Sequence, residues 1–405
     1  MSEALVVVGN GMAATRLVDE LMQRALGRYS VIVIGAEPRS SYNRVLLSSL
    51  LAGEADDEAI ELKPRGWWAG RGVTTLYGQS VAAIDREARA VTLANGLRLS
   101  YAKLVLATGS QPIRLPKPGM DLPGVCAFRN LADIAAMREN MRPGARAVVI
   151  GGGLLGIEAA YGLAKAGVVT TLVHLMDSLM ERQLDAPAAA LLKRAIQAKG
   201  VEVILGADTA RVVGRERANG LELVDGRVLP ADFIVCAVGV RPDVELARSA
   251  GLKVNRGIVV DDGLAASEPG IFALGECAEH RGAVYGLVEP AYEQARVLAR
   301  RLAGDEKAFY AGSTLATNLK VSGVNVFSAG AFAGGPGAET LIFEDEGAGT
   351  YKKLVIEDGK LTGAVLFGDT SDALWRLDLI RSGANVAHLR DALAFGPALA
   401  LEEAA

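Results

Sequence analysis

Two stretches of this chain have residue types and spacing that suit phosphate chemistry. They are Val6-Val7-Val8-Gly9-Asn10-Gly11-Met12-Ala13-Ala14 and Val148-Val149-Ile150-Gly151-Gly152-Gly153-Leu154-Leu155-Gly156-Ile157-Glu158. Each is an apolar strand that breaks at glycine and runs on into a helix. In such a turn the first glycine permits the tight bend and the second lets a pyrophosphate reach the backbone, while a small third residue packs helix on strand. Gly9, Gly11 and Ala14 take these places in the first turn, and Gly151, Gly153 and Gly156 in the second. Glu37 follows the next apolar run of the first unit, where a carboxylate accepts hydrogen bonds from an adenosine ribose. His174 stands at the corresponding place of the second unit. With no acid there, a 2′-phosphate is not repelled and NADPH is not excluded beside NADH; the alternative is that His174 only caps its strand. Two dinucleotide sites in one chain imply one nucleotide held permanently and another that delivers electrons, the pattern of a flavoprotein reduced by a nicotinamide nucleotide.

The other reactive side chains narrow the chemistry. Cys126, Cys236 and Cys277 are far apart and lack CxxC spacing, so neither a redox disulfide nor an iron-sulfur cluster is expected. His174, His280 and His388 show no metal-ligand spacing, and no bound metal is expected. A net charge of -4 offers no field for nucleic acid. No apolar run reaches the roughly 20 residues of a membrane span. Met1-Ser2-Glu3 leads directly into a strand with no secretory leader, which makes a cytoplasmic protein the expectation.

The elements that must position these residues follow from hydrophobic periodicity. A first βαβ unit comprises the glycine-terminated strand, a helix over about 12–26 and the strand Ser30–Gly35. A second comprises strand 147–150, helix 154–166 and strand 169–173. Leu104-Val105-Leu106-Ala107-Thr108-Gly109-Ser110 and Phe233 to Pro242 are further strands ending in glycine, read as crossings between domains; 112–124, rich in proline, reads as a linker. Gly275-Glu276 closes another strand and offers an acid for ribityl hydroxyls. Pro290 lies in the first turn of a helix running to about Leu302, whose amino end either faces the anionic edge of a flavin or is only structural. From Ser313 alternating runs at 319–327, 340–343, 351–356 and 361–366, with a closing helix at 372–382, predict a small β-rich domain; the alanine-rich tail beyond Leu393 is expected to fray. The fold class is α/β: two Rossmann-like dinucleotide-binding domains, for FAD (1–118 and 244–312) and NAD(P) (119–243), plus a small C-terminal α+β domain (313–405) acting as an interface.

With both turns, Ala107-Thr108-Gly109-Ser110, the Gly-Val-Arg-Pro of 239–242 and Gly275-Glu276 in order, the chain resembles the pyridine nucleotide-disulfide oxidoreductase superfamily over about 1–310. Tyr285 to Val288, Thr317 to Gly323, Tyr351 to Leu354 through Gly368-Asp369-Thr370, and Leu179 to Asp185 extend the likeness across nearly the whole chain. These stretches resemble the flavin-binding portion of NAD(P)H nitrite reductase large subunits, assimilatory nitrate reductase electron-transfer subunits and rubredoxin reductases. The departures matter equally. Large subunits of nitrite reductase continue into cysteine-rich cluster and siroheme regions, so this stretch alone is not expected to reduce nitrite at a siroheme. The lysine that rubredoxin reductases place near the flavin is replaced by Ser49, and residues 38–55 lack the redox cysteine of other relatives.

The resemblance implies FAD on Gly9, Gly11, Ala13, Ala14, Glu37, Arg44, Val81, Thr108, Gly109 and Glu276, and NAD(P)H on Gly151, Gly153, Leu154, Leu155, Glu158, His174 and Gly239. Lys320 is a further candidate near the flavin, and Glu158 a candidate for positioning the nicotinamide, its plain alternative being an exposed helical glutamate. The implied activity is hydride transfer from nicotinamide to flavin, then electron delivery to an external redox protein: a molybdenum or siroheme reductase, or a small iron-sulfur protein. A rubredoxin or ferredoxin reductase is the alternative, and a nucleotide-sensing protein that keeps FAD for structure is a third class.

Overall fold

The computed structural model describes residues 2–319, 321 and 323–402. By compactness the chain divides into two units: Met1–Arg44 with Asp56–Gln111 and Val240–Ser313, and Val45–Ala55 with Pro112–Gly239 and Thr314–Ala405.

The first unit is built on a parallel sheet of five strands in the order Ile271–Ala273, Lys103–Leu106, Glu3–Val8, Tyr29–Gly35, Thr74–Tyr77. Leu5, Val6 and Val7 of the central strand are fully buried, because a parallel sheet is covered on both faces and its strands read as unbroken apolar runs. Register aligns Val8 with both Ile34 and Leu106. The chain leaves the central strand toward one neighbour and returns on its other side, so a crevice opens at the carboxyl ends of Glu3–Val8 and Lys103–Leu106. Helix Met12–Ala25 packs Leu17, Val18 and Leu21 into the core shared with Ala295, Leu298 and Leu302 of helix Val288–Leu302.

The second unit repeats the plan with the parallel order Val201–Ile204, Val169–Val173, Arg146–Ile150, Phe233–Cys236, Val125–Ala127. Helix Leu154–Lys165 is rich in small residues and packs closely; a Cβ on Gly162 would touch Leu51 at 3.2 Å. Asp185 caps helix Ala186–Ala198 by accepting from the Ala188 amide. The same unit carries an antiparallel sheet ordered Ala316–Asn318, Val326–Gly330, Lys360–Phe367, Thr350–Glu357, Glu339–Asp345, backed by helix Ala373–Ser382. Gly383 ends that helix in the left-handed region at φ +60.

Two sequence expectations change here. The run 319–327 is not one strand: the Val324 amide bonds back to the Val321 carbonyl, with Gly323 at φ +73, and this tight turn separates Ala316–Asn318 from Val326–Gly330. The tail does not simply fray but forms a short helix, Pro397–Glu402, where a first-position proline presets the backbone and alanine and leucine favour helix. No described helix is long and apolar enough to cross a membrane.

Candidate dinucleotide sites

In the first unit the glycine turn is shaped by backbone crowding. Gly9 sits at φ +113, and a Cβ there would lie 2.1 Å from the Ala107 carbonyl oxygen. Its amide donates to the Ile34 carbonyl, tying the turn to the neighbouring strand. Gly11 occupies the N-cap of Met12–Ala25 with no side-chain cap, and a Cβ on it would have nothing within 4 Å. A helix start left uncapped beside open space suits an anion, since unpaired amides and the helix dipole both face it. Among the described residues the buried Asn10 Oδ1 has no partner, while Nδ2 donates to the Arg39 carbonyl. A buried acceptor with no donor is costly and suits a ligand hydroxyl or bound water. Ala14 is fully buried, and Ala13 lies against Gly275.

Side chains at the carboxyl edge complete this half. Glu37 accepts from Tyr42 Oη at 2.7 Å and from Arg44 at 2.5 Å, and the guanidinium lies over the Tyr42 ring. A carboxylate offers about four acceptor positions, so two bonds leave capacity for a ribose diol. Val81 is half-buried against the core, at the start of strand Val81–Asp85. Across the crevice Thr108 Oγ1 donates to the Asp243 carbonyl at 2.6 Å and the Asp243 amide donates to the Gly109 carbonyl; Gly109 is at φ +73. Ser110 Oγ donates to Glu276 Oε2 at 2.6 Å, and the Gly275 amide donates to the fully buried Gln294. All ten flavin-side candidates thus fall in one unit, at the edge the strand order opens. Tyr42, Ser110, Asp243 and Gln294 support them but were not singled out from sequence; Ser110 lay within a motif and Gln294 within the helix that Pro290 opens, without a signal of their contacts.

The second unit holds the nicotinamide-side candidates. Gly151 is at φ +118, its Cβ position 2.4 Å from the Ala237 carbonyl oxygen, and its amide donates to the Val173 carbonyl. Gly153 is the uncapped N-cap of Leu154–Lys165 and again faces open space. Leu154 and Leu155 open the helix, half-buried, and Gly239 follows strand Phe233–Cys236 at φ +116. Glu158 is 3 % exposed, which rules out the exposed-glutamate reading. His174 bonds on both ring nitrogens: Nδ1 accepts from the Gly152 amide at 2.9 Å and Nε2 meets Glu181 at 3.1 Å. It therefore does more than cap its strand. Lys320 lies outside the described residues. Ser49, in place of the flavin-side lysine, sits in the short helix Leu47–Leu51.

The cysteines behave as packing residues. Cys236 and Cys277 are buried, and Cys277 Sγ contacts the Leu106 and Leu274 carbonyls. Burial pushes the thiols up, Cys126 to about 11, away from the thiolate form that reacts. Titration of the native protein with an aromatic disulfide reagent at neutral pH is expected to show no rapidly reacting thiol, and all three only after denaturation. A fast thiol would reopen a redox role for cysteine.

The family described as pyridine nucleotide-disulphide oxidoreductase matches residues 3–295, and the rubredoxin NAD+ reductase C-terminal domain matches 316–384. The chain is 43% identical over 382 residues to a nitrite reductase [NAD(P)H] of Bacillus subtilis, covering 94% of this chain and 48% of that protein. It is 43% identical over 376 residues to the assimilatory nitrate reductase electron transfer subunit of the same organism, covering 93% of this chain and 49% of that protein. The chain therefore spans about half the length of these curated relatives. Among solved structures, the covalent putidaredoxin reductase-putidaredoxin complex superposes with a TM-score of 0.86 at 26% identity, over 95% of this chain and 94% of that one.

Proposed function

The chain belongs to the pyridine nucleotide-disulphide oxidoreductase family and is an NAD(P)H-dependent oxidoreductase; from that premise we propose that it passes electrons from NADH or NADPH through FAD to an external redox protein, as the electron-transfer part of an assimilatory nitrate or nitrite reductase. The observation that carries this reading is the pair of uncapped helix starts, Gly11 and Gly153, each facing open space behind a glycine that no other residue can replace. Each suits a pyrophosphate, and they lie in separate units.

We assign FAD to 1–118 with 244–312, the nicotinamide nucleotide to 119–243, and a partner-facing role to 313–405. In the first half Gly9, Gly11, Ala13 and Ala14 form the phosphate turn, Glu37 receives the ribose and Arg44 holds Glu37 in place. Val81, Thr108 and Gly109 shape the edge, and Glu276, fixed by Ser110, receives ribityl hydroxyls. In the second half Gly151, Gly153, Leu154 and Leu155 receive the donor pyrophosphate, Gly239 keeps the facing backbone free of a side chain, and Glu158 orients the nicotinamide end. Bound FAD would supply the chemistry by accepting a hydride and releasing electrons singly; the protein contributes orientation and electrostatics. No general acid or base is required of the chain.

The match of 316–384 to the rubredoxin NAD+ reductase C-terminal domain favours one second reading, a rubredoxin or ferredoxin reductase. One anaerobic experiment tests the shared core: the FAD-loaded protein is mixed with NADH or NADPH and the flavin absorption followed. Bleaching by either nucleotide is the expected result, and no bleaching with both rejects the proposal. Adding a siroheme or molybdenum reductase, or rubredoxin, to the reduced protein then separates the two readings by which acceptor reoxidises it.

A further inference from the structure

The stretch Leu179–Asp185 folds back onto the second glycine turn and grips Gly152 from two sides. The Gly152 amide donates to His174 Nδ1 at 2.9 Å, and the Gly152 carbonyl accepts from the Met180 amide at 3.0 Å. No side chain fits at Gly152: its Cβ position is 2.6 Å from the His174 ring and 2.8 Å from Leu179. Met180 is held at φ +51, a left-handed conformation that a non-glycine residue adopts only when its surroundings impose it. The Gln183 and Leu184 amides both close onto the Met180 carbonyl, which fixes the turn that carries Glu181.

This arrangement sets the state of His174. Because Nδ1 accepts a backbone hydrogen bond, the proton of the neutral ring resides on Nε2, which donates to Glu181 Oε2 at 3.1 Å. Glu181 is thereby held at the end of strand Val169–Val173, seven positions beyond the residue that the strand itself places there. Its side chain is 29% exposed, and among the described residues nothing donates to Oε1. Of the charged side chains from 174 to 185, only Arg182 is positive, against Asp177, Glu181 and Asp185.

We propose that Glu181, presented by His174, is the carboxylate that meets the adenosine ribose of the donor nucleotide, and that it makes NADH the preferred donor over NADPH. The proposal rests on the reading of the second glycine turn as the NAD(P)H site. At this place a free carboxylate oxygen accepts from the ribose diol and repels a 2′-phosphate. The acid that the sequence lacks at 174 is supplied from a distance of seven residues.

The test compares adenosine 5′-monophosphate with adenosine 2′,5′-bisphosphate by calorimetric titration of the FAD-loaded protein, beside rates of flavin reduction by NADH and NADPH. The unmodified protein is expected to bind the monophosphate at least about tenfold more tightly, since like charges brought together are strongly disfavoured. Glu181→Gln, which keeps an acceptor for His174 Nε2, is expected to narrow that gap to within about threefold and to raise NADPH reduction relative to NADH. Equal or tighter bisphosphate binding by the unmodified protein overturns the proposal without reliance on any variant, as does an unchanged gap in Glu181→Gln. If neither nucleotide reduces the flavin, the functional reading fails; if both do so without discrimination, only the role of Glu181 fails.

Discussion

Gly156→Ala is expected to lower NADH affinity by about a hundredfold or more, at roughly 1.4 kcal/mol per tenfold, while FAD remains bound. The added methyl would sit 1.8 Å from the Gly151 carbonyl oxygen, inside the turn proposed to receive the donor pyrophosphate. Gly151 has nowhere to retreat, because its own Cβ side already faces the Ala237 carbonyl at 2.4 Å and its amide is bonded to Val173. Helix Leu154–Lys165 must therefore move off its strand, or the turn must open. Overpacking of this kind costs about 3 kcal/mol where backbone meets backbone. The first glycine turn supplies the contrast: Ala14 takes the equivalent place and is fully buried without strain, so Ala14→Gly is expected to cost only about 0.5–1 kcal/mol. Nucleotide titration, flavin content and thermal unfolding of both variants check the pair of outcomes. A Gly156→Ala protein that binds NADH within threefold of the parent would show that the second turn does not hold the donor.

Asp372→Asn is expected to destabilise the second unit by about 3–5 kcal/mol, the cost of leaving a buried charge without its partner. Arg376 is fully buried, and its guanidinium donates to Asp372 at 3.3 Å and to the Leu393 carbonyl at 2.8 Å. Burial pulls the guanidinium below its ordinary range, and Asp372 opposes that shift. Asp372 also lies 3.8 Å from Lys352, itself buried, whose closer partner is Asp369 at 2.7 Å. The Lys352 ammonium, with further hydrogen bonds from Ser371, holds the Asp369 carboxyl well below the usual carboxylate range. Among the described residues, removing the Asp372 charge leaves Lys352 one acid, Asp369, and Arg376 the Leu393 and Ala394 carbonyls. The double variant Asp372→Asn with Arg376→Met is expected to lose less than the sum of its parts, because the orphaned charge is removed with its partner. Denaturant unfolding followed by tryptophan fluorescence reads this directly, since Trp375 lies beside the Arg376 guanidinium. Strict additivity would show that the network contributes no coupling.

Several features were legible in the residues because local geometry dictates them. A glycine turn between strand and helix is written in consecutive positions, and the structure places Gly9 and Gly151 at strongly positive φ, with Gly11 and Gly153 at uncapped helix starts. Strand and helix periodicity put the two βαβ units within a residue or two of their observed limits, as with Met12–Ala25 and Leu154–Lys165. Contacts between distant residues were not legible, because hydrogen bonding between side chains leaves no periodic mark. The Ser110–Glu276 bond and the Thr108–Asp243 bond join segments more than a hundred positions apart. The burial of Glu158 depends on what packs around its helix, not on its place along it.

His174 shows the division most clearly. From sequence it marks the absence of an acid at a strand end, and the donor nucleotide stays undecided. In the folded chain the same ring takes its proton state from the Gly152 amide and turns toward Glu181. By itself the sequence determined that two dinucleotide turns exist and where each begins, since neighbouring glycines alone allow those backbones. Glu37 was readable beside the first turn from its place after the next strand, whereas Glu181 is brought to the end of the second unit's strand only by tertiary structure, because loop closure, not adjacency, carries the acid there.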